Sequence, residues 1–492
     1  MLEHLPVLQV ITPLLAAPTC LFLRRPELVW LFTLFVSGLA FIISATLVQQ
    51  VMSTGIISYE LGGWSQPWGI EYRIDKLNAF ILLIISAVST VVLIAAQTSI
   101  RKEIAEDRHT LFYVLYLLSL AGMLGIVTTG DAFNVFVFLE ISSLSAYAII
   151  ALGKGRQAIW ASYQYLIMGT IGATFILIGI GLLYQMTGTL NMGDLSRRLP
   201  DVAHTRTIIA AYAFFVVGVC LKMALFPLHL WLPNAYSYAP SIVTAFFAAT
   251  STKVALYLLI RFTFSIFGFS FSFTTLPLDT LFLVLGLLGI FVASTTAIYQ
   301  KNLKHLFAYS SVAQIGYMIV GFSIGTSAGL MATLLHLFNH ALMKSAIFLA
   351  LGAVMYRIGS VQINHIQGLG RQMPLTMAAV VVGGLSLIGV PLTVGFVSKW
   401  YLVIATIENG WWPVAVLVVL GSLFAIIYVW RIVEAAYFME PEPGRTQVTE
   451  APLSFLIPVW ILVLANIYFG MDTRLSVQIA QSASQSLFGI AP

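Results

Sequence analysis

Charge is what this sequence has least of. Asp, Glu, Lys and Arg make up 9% of its 492 residues, against about 25% in soluble globular chains. That scarcity excludes a water-soluble domain, and with it the usual division into domains of roughly 150 residues. Cysteine is almost absent: Cys20 and Cys220 stand alone in apolar runs. They exclude a disulfide framework or a cysteine metal site and read as small core hydrophobes. The sequence also has no Walker loop, no dinucleotide glycine fingerprint followed by a suitable acid, no HExxH pair and no cysteine cluster for iron–sulfur. A hydrolytic or redox centre is therefore not expected in this chain, nor any cofactor or bound metal. The N-terminal stretch MLEHLPVLQVITPLLAAPTCLFLRR lacks a basic n-region, and its charges, Arg24 and Arg25, follow the apolar run. It reads as a first membrane helix starting on the outer side, not as a signal peptide. The net charge of +5 points to no nucleic acid, since in a membrane protein the position of Lys and Arg matters more than their sum.

What is abundant is apolar length. Hydrophobic residues make up 59% of the chain and the mean hydropathy is +0.95. A membrane span needs about 20 mainly apolar residues. That template predicts fourteen spans, at 4–23, 28–51, 77–99, 110–129, 131–152, 160–186 and 207–231, then 241–263, 278–299, 303–323, 327–356, 375–405, 411–438 and 452–471. Loops after odd-numbered spans hold twelve basic residues, Lys304 and Arg445 among them, and loops after even-numbered spans hold seven, including Arg73, Lys76 and Arg261. The excess places the former in the cytoplasm and both termini outside.

Two spans carry helix breakers. The seventh runs into LFPLHLWLPNAYSYAP, with Pro227, Pro233 and Pro240; the twelfth contains GVPLTVGFVSKW, with Gly389, Pro391 and Gly395. Irregular backbone at membrane depth is tolerated only against protein or a watery cavity, and paired breaks mark ion paths in transporters. Breaks five spans apart predict two inverted five-helix repeats, spans 4–8 (110–263) and 9–13 (278–438). A three-helix segment (1–109) precedes them, and a last helix with a tail (439–492) follows.

Few charges remain inside the spans: Lys222, Lys253, Lys344, Lys399 and, near a helix end, Arg431, with Glu140 the one acid clearly at mid-span. Glu434 is expected to pair with Arg431 near the interface. Each unpaired mid-span lysine costs roughly 2.5–3.5 kcal/mol, about 10–14 kcal/mol for four. They must then face the bundle interior, with partners or water. His336, His340 and Lys344 are spaced four apart and form one stripe on a helix. Burial and a nearby carboxylate shift lysine in opposite senses, and histidine titrates near neutrality, so such a row suits proton transfer. The bland readings differ by residue: carbonyl capping for Lys222 and Lys399, snorkelling for Lys253 and Lys344, packing for His336 or His340. For His229 and His305, near span ends, structural roles are favoured. The two histidines at i, i+4 lack the acid or cysteine that would complete a metal site.

At this point the residues resemble a family, the antiporter-like subunits of respiratory complex I and of multi-subunit Mrp-type sodium/proton antiporters. The resemblance covers nearly the whole chain. It rests on LGGWSQPWGIEYRIDKLNAF (61–80), FLEISSLSAYAI (138–149), LKMALFPLHLWLPNAYSYAPSIVTAFFAATSTKVALY (221–257), NLKHLFAYSSVAQIGYM (302–318), HLFNHALMKSAIFL (336–349) and GVPLTVGFVSKW (389–400). It implies fourteen helices with inverted repeats and a charged chain at mid-membrane. In that chain Glu140 is the fifth-helix acid, Lys222 its partner, Lys253 the connecting residue, His336, His340 and Lys344 the eleventh-helix relay and Lys399 the terminal residue. Asn234 and Tyr236 replace an acid and a His common in the family, and Gln314 stands where several relatives carry His, so water is expected to serve there. The length is that of the D-type subunit of Mrp antiporters or of the smaller complex I or membrane-hydrogenase subunit. GVPLTVGFVSKWYL is closer to the Mrp D-type subunit, whereas AYSSVAQIGYM and LIMGTIGATFILIGIGLLYQMTGTLNM lean toward complex I. The resemblance thus implies a proton-translocating subunit of a sodium/proton antiporter in a prokaryotic cell membrane, working with other membrane subunits. The alternative is a proton-pumping subunit of a quinone reductase or hydrogenase, without its own redox site. A non-conducting scaffold is the third reading, and the complete set of costly charges argues against it.

Overall fold

The structure, a computed structural model, describes residues 2–23, 25–441 and 447–490, so Arg24 and Arg445 lie outside it. The chain is 83% helical. Helices α1 (Leu5–Thr19) and α2 (Pro26–Thr54) lead to an antiparallel hairpin of β1 (Ile57–Glu60) and β2 (Glu71–Ile74). Then come α3 (Lys76–Glu103), α4 (His109–Thr128), α5 (Ala132–Ala151) and α6 (Arg156–Thr187). A short α7 (Met192–Val202) precedes α8 (Arg206–Met223), α9 (Trp231–Tyr238) and α10 (Ser241–Ile260). Next are α11 (Leu278–Tyr299), α12 (Leu303–Ser323), α13 (Ser327–Ile358) and the single turn α14 (Leu369–Gln372). The chain finishes with α15 (Pro374–Ile388), α16 (Val394–Glu408), α17 (Trp412–Val433), α18 (Leu453–Met471) and α19 (Arg474–Leu487).

Thirteen helices among the described residues are long and apolar enough to cross a membrane. The protein is an all-α, multi-pass membrane protein, and the remaining expected span is the broken twelfth, present as α15 and α16. The seventh span ends at Met223, eight residues earlier than the sequence predicts, because the break begins there. The hairpin, α7 and α19 were not anticipated: each is too short or too polar for a 20-residue apolar template. Helices α10 and α12 are central, with 94% of their apolar windows buried, whereas α2, α6, α11 and α17 form the rim at 39%. In the first three helices small polar residues join neighbours. Gln9 donates to Ser44 at 2.7 Å, Ser86 to Ser44 at 2.9 Å, and Ser37 meets Ser89 at 2.8 Å. Such contacts let membrane helices approach closely.

Three bases or pairs stand elsewhere than the sequence implies. Lys304 is not a loop residue: its chain is buried and its Nζ donates to the Ala239 carbonyl at 3.2 Å. Arg431 makes no ion pair with Glu434 among the described residues; its Nη1 donates to Gln300 O at 3.3 Å. Arg261, also expected in a loop, is 8% exposed and continues the α10 span in a π-helical turn. Its Nη1 and Nη2 donate to Asp75 Oδ2 and Oδ1 at 2.6 and 2.8 Å, and its Nε to the Tyr257 hydroxyl at 3.3 Å. That hydroxyl donates to Val127 O at 3.1 Å. Asp75 is itself the N-cap of α3, accepting from Leu77 and Asn78. One carboxylate thus ties α3 and α10 together, with α4 reached through Tyr257. Reassigning Lys304 and Arg261 changes the loop count from twelve against seven to eleven against six, and the bias keeps its direction.

Burial pushes the Asp75 carboxyl up, but the Arg261 guanidinium outweighs it and holds the group below its ordinary 3.8. A lowered carboxyl contributes stability that is present above the ordinary value and is lost as pH falls through the native one. Thermal melts of the detergent-solubilised protein should therefore show this contribution intact above about pH 4 and shrinking below it. Asp75→Asn, which strands a buried guanidinium, should cost about 3–5 kcal/mol, and adding Arg261→Met should recover much of it.

Candidate functional site

The two breaks open the bundle where the sequence placed lysines. At the end of α8, Ala224 adopts a left-handed conformation with φ of 58°, and in the α15–α16 break Leu392 does the same at 71°. For non-glycine residues that geometry costs on the order of 1–3 kcal/mol and persists only where the surroundings impose it. The freed carbonyls find different donors. Trp231 Nε1 donates to Leu221 O at 3.0 Å in the first break. In the second, Lys399 Nζ donates to Leu387 O at 2.8 Å and Ile388 O at 3.1 Å, and also to Ser422 Oγ at 2.9 Å. Lys399 therefore does cap carbonyls. Lys222 does not: its Nζ donates to Ser143 Oγ at 2.8 Å and the Tyr147 hydroxyl at 3.2 Å, both on α5.

Glu140 lies on the same helix, one turn before Ser143, and its charge acts on Lys222 without an ion pair within 4.0 Å among the described residues. Its Oε1 is buried and has no hydrogen-bond partner among the described residues. Yet Phe133, Val137 and Leu144, at helical spacing around it, are 44%, 38% and 56% exposed. Glu140 thus sits where the bundle meets its lateral surface. Beside Lys222 is a cavity of about 40 Å³, lined also by Ser142, Ser143, Tyr165 and Ser251. That exceeds the roughly 10–15 Å³ a single water requires, and it reaches α10, the helix that carries Lys253.

Lys253 is 1% exposed and donates within its own helix, to Ala248 O and to Thr252 Oγ1 at 3.4 Å. It interacts electrostatically with His336, His340 and Lys344 on α13. The stripe anticipated from sequence is real, and its members differ. His336 is held at both nitrogens, with Nδ1 2.8 Å from Ser398 Oγ and Nε2 2.9 Å from Gln314 Oε1. An amide oxygen at Nε2 requires the proton there, so in the neutral ring Nδ1 accepts from the Ser398 hydroxyl, and in the charged ring it donates to it. Gln314 is thus a direct partner of His336, where the sequence implied that the tenth helix relies on water. His340 is fully buried, its ring parallel to that of His336 at 6.3 Å, and neither of its nitrogens has a protein partner. Lys344 donates to Phe307 O at 2.8 Å and Ser310 Oγ at 2.5 Å on α12.

From His336 the polar line reaches the second break. Tyr317 lies 5.8 Å from the His336 ring, and Lys399 Nζ is 4.7 Å from the Tyr317 ring centre. His305 and Asn234 stand apart from this line. His305 Nε2 meets Asn234 Oδ1 at 3.2 Å, and Asn234 Nδ2 donates to Gln164 at 2.7 Å. Sequence reasoning missed Ser143, Tyr147, Ser310, Ser398 and Ser422. Hydroxyls are common in membrane helices, and nothing in their spacing distinguishes these five.

Gly395 makes the second break possible. A Cβ there would lie 1.7 Å from the Ser386 carbonyl oxygen, and its N–H donates to Ser386 Oγ at 3.2 Å. Gly395→Ala must push α15 and α16 apart. It is expected to cost about 1–3 kcal/mol or more and to lower the melting temperature. Gly181→Ala, with open space around its Cβ position, should not.

A family model described as "NADH:quinone oxidoreductase/Mrp antiporter, TM" matches residues 129–425. The N-type subunit of a NADH-quinone oxidoreductase from Desulforudis audaxviator is 40% identical over 96% of both chains. The D-type subunit of a Na(+)/H(+) antiporter from Bacillus subtilis is 29% identical over 99% of this chain and 97% of that one. Among solved structures, a chain of the archaeal membrane-bound sulfane sulfur reductase, a respiratory membrane complex, superposes with a TM-score of 0.89 at 30% identity, covering 99% of this chain and 97% of that one. A chain of the Mrp complex from Dietzia sp. DQ12-45-1b gives 0.90 at 23% identity with the same coverage, a likeness of fold.

Proposed function

The chain belongs to the family of membrane subunits shared by NADH:quinone oxidoreductases and Mrp antiporters, and from that premise we propose that it moves protons through the membrane along the line from Glu140 to Lys399. The observation that carries this reading is the cluster of Lys253, His336, His340 and Lys344. It holds four protonatable groups in electrostatic contact, deep in the bundle. No acid within it balances them. Positive charges that close repel in a low-dielectric interior, so the cluster holds fewer protons than it has sites, and a proton arriving at one is passed on from another. His340 needs hydrogen-bond partners at both nitrogens, and water supplies them as the proton moves. At one end Lys222 shares its charge between the α5 hydroxyls and Glu140; at the other Lys399 is held by the carbonyls of a broken helix. Each of the two proposed repeats, 110–263 and 278–438, then contains one break.

Glu140 on the lateral surface, with an unpartnered oxygen, fits a subunit covered by a neighbouring membrane subunit in a larger complex. The multi-subunit complexes that contain its structural relatives support this arrangement. The loop charge bias supports an orientation with the hairpin end of the bundle and both termini outside. Two couplings fit the same conductor. Sodium/proton antiport is supported by the likeness to the B. subtilis antiporter subunit. Redox-linked pumping is supported by the higher identities, 40% to the quinone oxidoreductase subunit and 30% to the sulfane sulfur reductase chain.

Everted vesicles containing the assembled complex separate these readings. With an acid interior set up by ATP and no redox substrate present, a collapse of the gradient on adding sodium identifies an antiporter. Pumping only on addition of a redox substrate identifies a respiratory subunit. In either case Glu140→Ala, Lys222→Ala and Lys399→Ala should lower proton movement about a hundredfold, the scale for removing a proton-transfer group, in complexes that still assemble. Wild-type rates in any of them would refute the relay.

A further inference from the structure

One cavity lies off the proposed proton line. It lies at the hairpin end of the bundle, has a volume of about 410 Å³, and is lined by Arg73, Lys76 and Arg261. Asp75 is the one acid in its described lining, and Arg261 engages it through both oxygens. Three cations against one already committed carboxylate leave two positive charges in excess. These belong to Arg73 and Lys76, whose side chains are half-buried and make no hydrogen bond or ion pair among the described residues. Arg73 rests against the first turn of α7, where a Cβ on Gly193 would lie 3.4 Å from its Nη1. A larger residue there would crowd the guanidinium out of the cavity. Beneath them, Arg261 is 8% exposed and fixed in place.

We propose that this cavity binds the phosphate of an anionic phospholipid headgroup, with Arg73 and Lys76 as its ligands. A guanidinium and an ammonium, both uncommitted and facing one space, are suited to a phosphate oxyanion. The rest of the lining selects a lipid as its carrier. Val51, Ile56, Phe264 and Leu487 give the cavity apolar walls, which a hydrated free anion would not favour. Val51 and Ile56 belong to α2 and the residues just beyond it. Just beyond that helix Ile56 is 58% exposed, an apolar lip over which the acyl chains can leave the cavity. The phosphate then sits at the helix ends, where headgroups lie. A bound lipid would also cover the Asp75–Arg261 pair from water.

The test is native mass spectrometry of the intact detergent-purified complex, titrated with phosphatidylglycerol, phosphatidylcholine or inorganic phosphate. The Arg73→Gln/Lys76→Gln variant should hold about one phosphatidylglycerol fewer per chain. Its affinity at that site should fall about fivefold per charge removed, while phosphatidylcholine binding stays equal to wild type and millimolar phosphate displaces nothing. Unchanged phosphatidylglycerol binding in the assembled variant overturns the proposal. So does displacement by inorganic phosphate, which would mark a free-anion site, or cross-linking of a cysteine at position 76 to another subunit, which would mark a protein occupant. If the double variant does not assemble, Lys76→Gln alone, whose ammonium contacts nothing, should weaken binding about fivefold, and no change there also overturns it.

Discussion

A polar group in hydrocarbon has to be paired, and the rest of this structure follows from that. Most of the backbone satisfies itself in helices, which is why the chain is nearly all helix. The exceptions are the two breaks, and each is held by a specific donor. Trp231 closes the α8 end with an indole N–H; Lys399 closes the α15 end with its ammonium. The same requirement places Arg261 on Asp75 and fills α1–α3 with serine hydroxyls bonded to each other. Among the described residues, Glu140 Oε1 and both His340 nitrogens on the proposed proton line lack a protein partner, as do buried groups away from it such as Ser119 and the side-chain amide of Asn466.

The two breaks are alike in position and unlike in chemistry. In the first, a neutral donor caps the carbonyls, leaving Lys222 free to bond to Ser143 and Tyr147 and to respond to Glu140. In the second the cap is the titratable group itself. Deprotonating Lys399 removes one of the three N–H groups that Leu387 O, Ile388 O and Ser422 Oγ share and weakens the other two, so charge on that residue and the geometry of the α15–α16 break are coupled in a way that charge on Lys222 and its break are not. Gly389 contributes directly: its φ of 93° suits glycine, and a Cβ there would lie 3.1 Å from Lys399 Cδ, crowding the lysine stem.

Much of this was legible in the sequence because charge is so scarce. With 9% charged residues, each mid-span lysine is conspicuous, and Lys222, Lys253, Lys344 and Lys399 are all buried as expected. The helix count followed from apolar length, and the breaks from Pro227, Pro391 and Gly395. Span ends were less legible. Arg261 and Lys304 were placed in loops because the template stops where charge begins, whereas the backbone carries both inward to partners 186 and 65 residues away in sequence. The hydroxyls that hold the lysines were invisible for a related reason. A serine facing a neighbour and one facing lipid have the same composition, and only the packing of α5 on α8, or of α12 on α13, tells them apart.

The distribution of acid along the line also sets how it can work. Glu140 is the one carboxylate acting on any of these lysines, and it stands at the lateral edge, while the interior cluster contains only bases. In a base cluster in low dielectric, each further proton is opposed by those already there. Its occupancy is therefore sensitive to charge at its borders. Lys222 is one border: Glu140 favours positive charge there, beside the cavity that reaches the Lys253 helix. When something outside the chain neutralises or turns Glu140, the Lys222 proton has less reason to stay and the neighbouring site more room to receive it. On the proposed line, an event at a covering neighbour can in this way reach Lys399 through successive proton shifts.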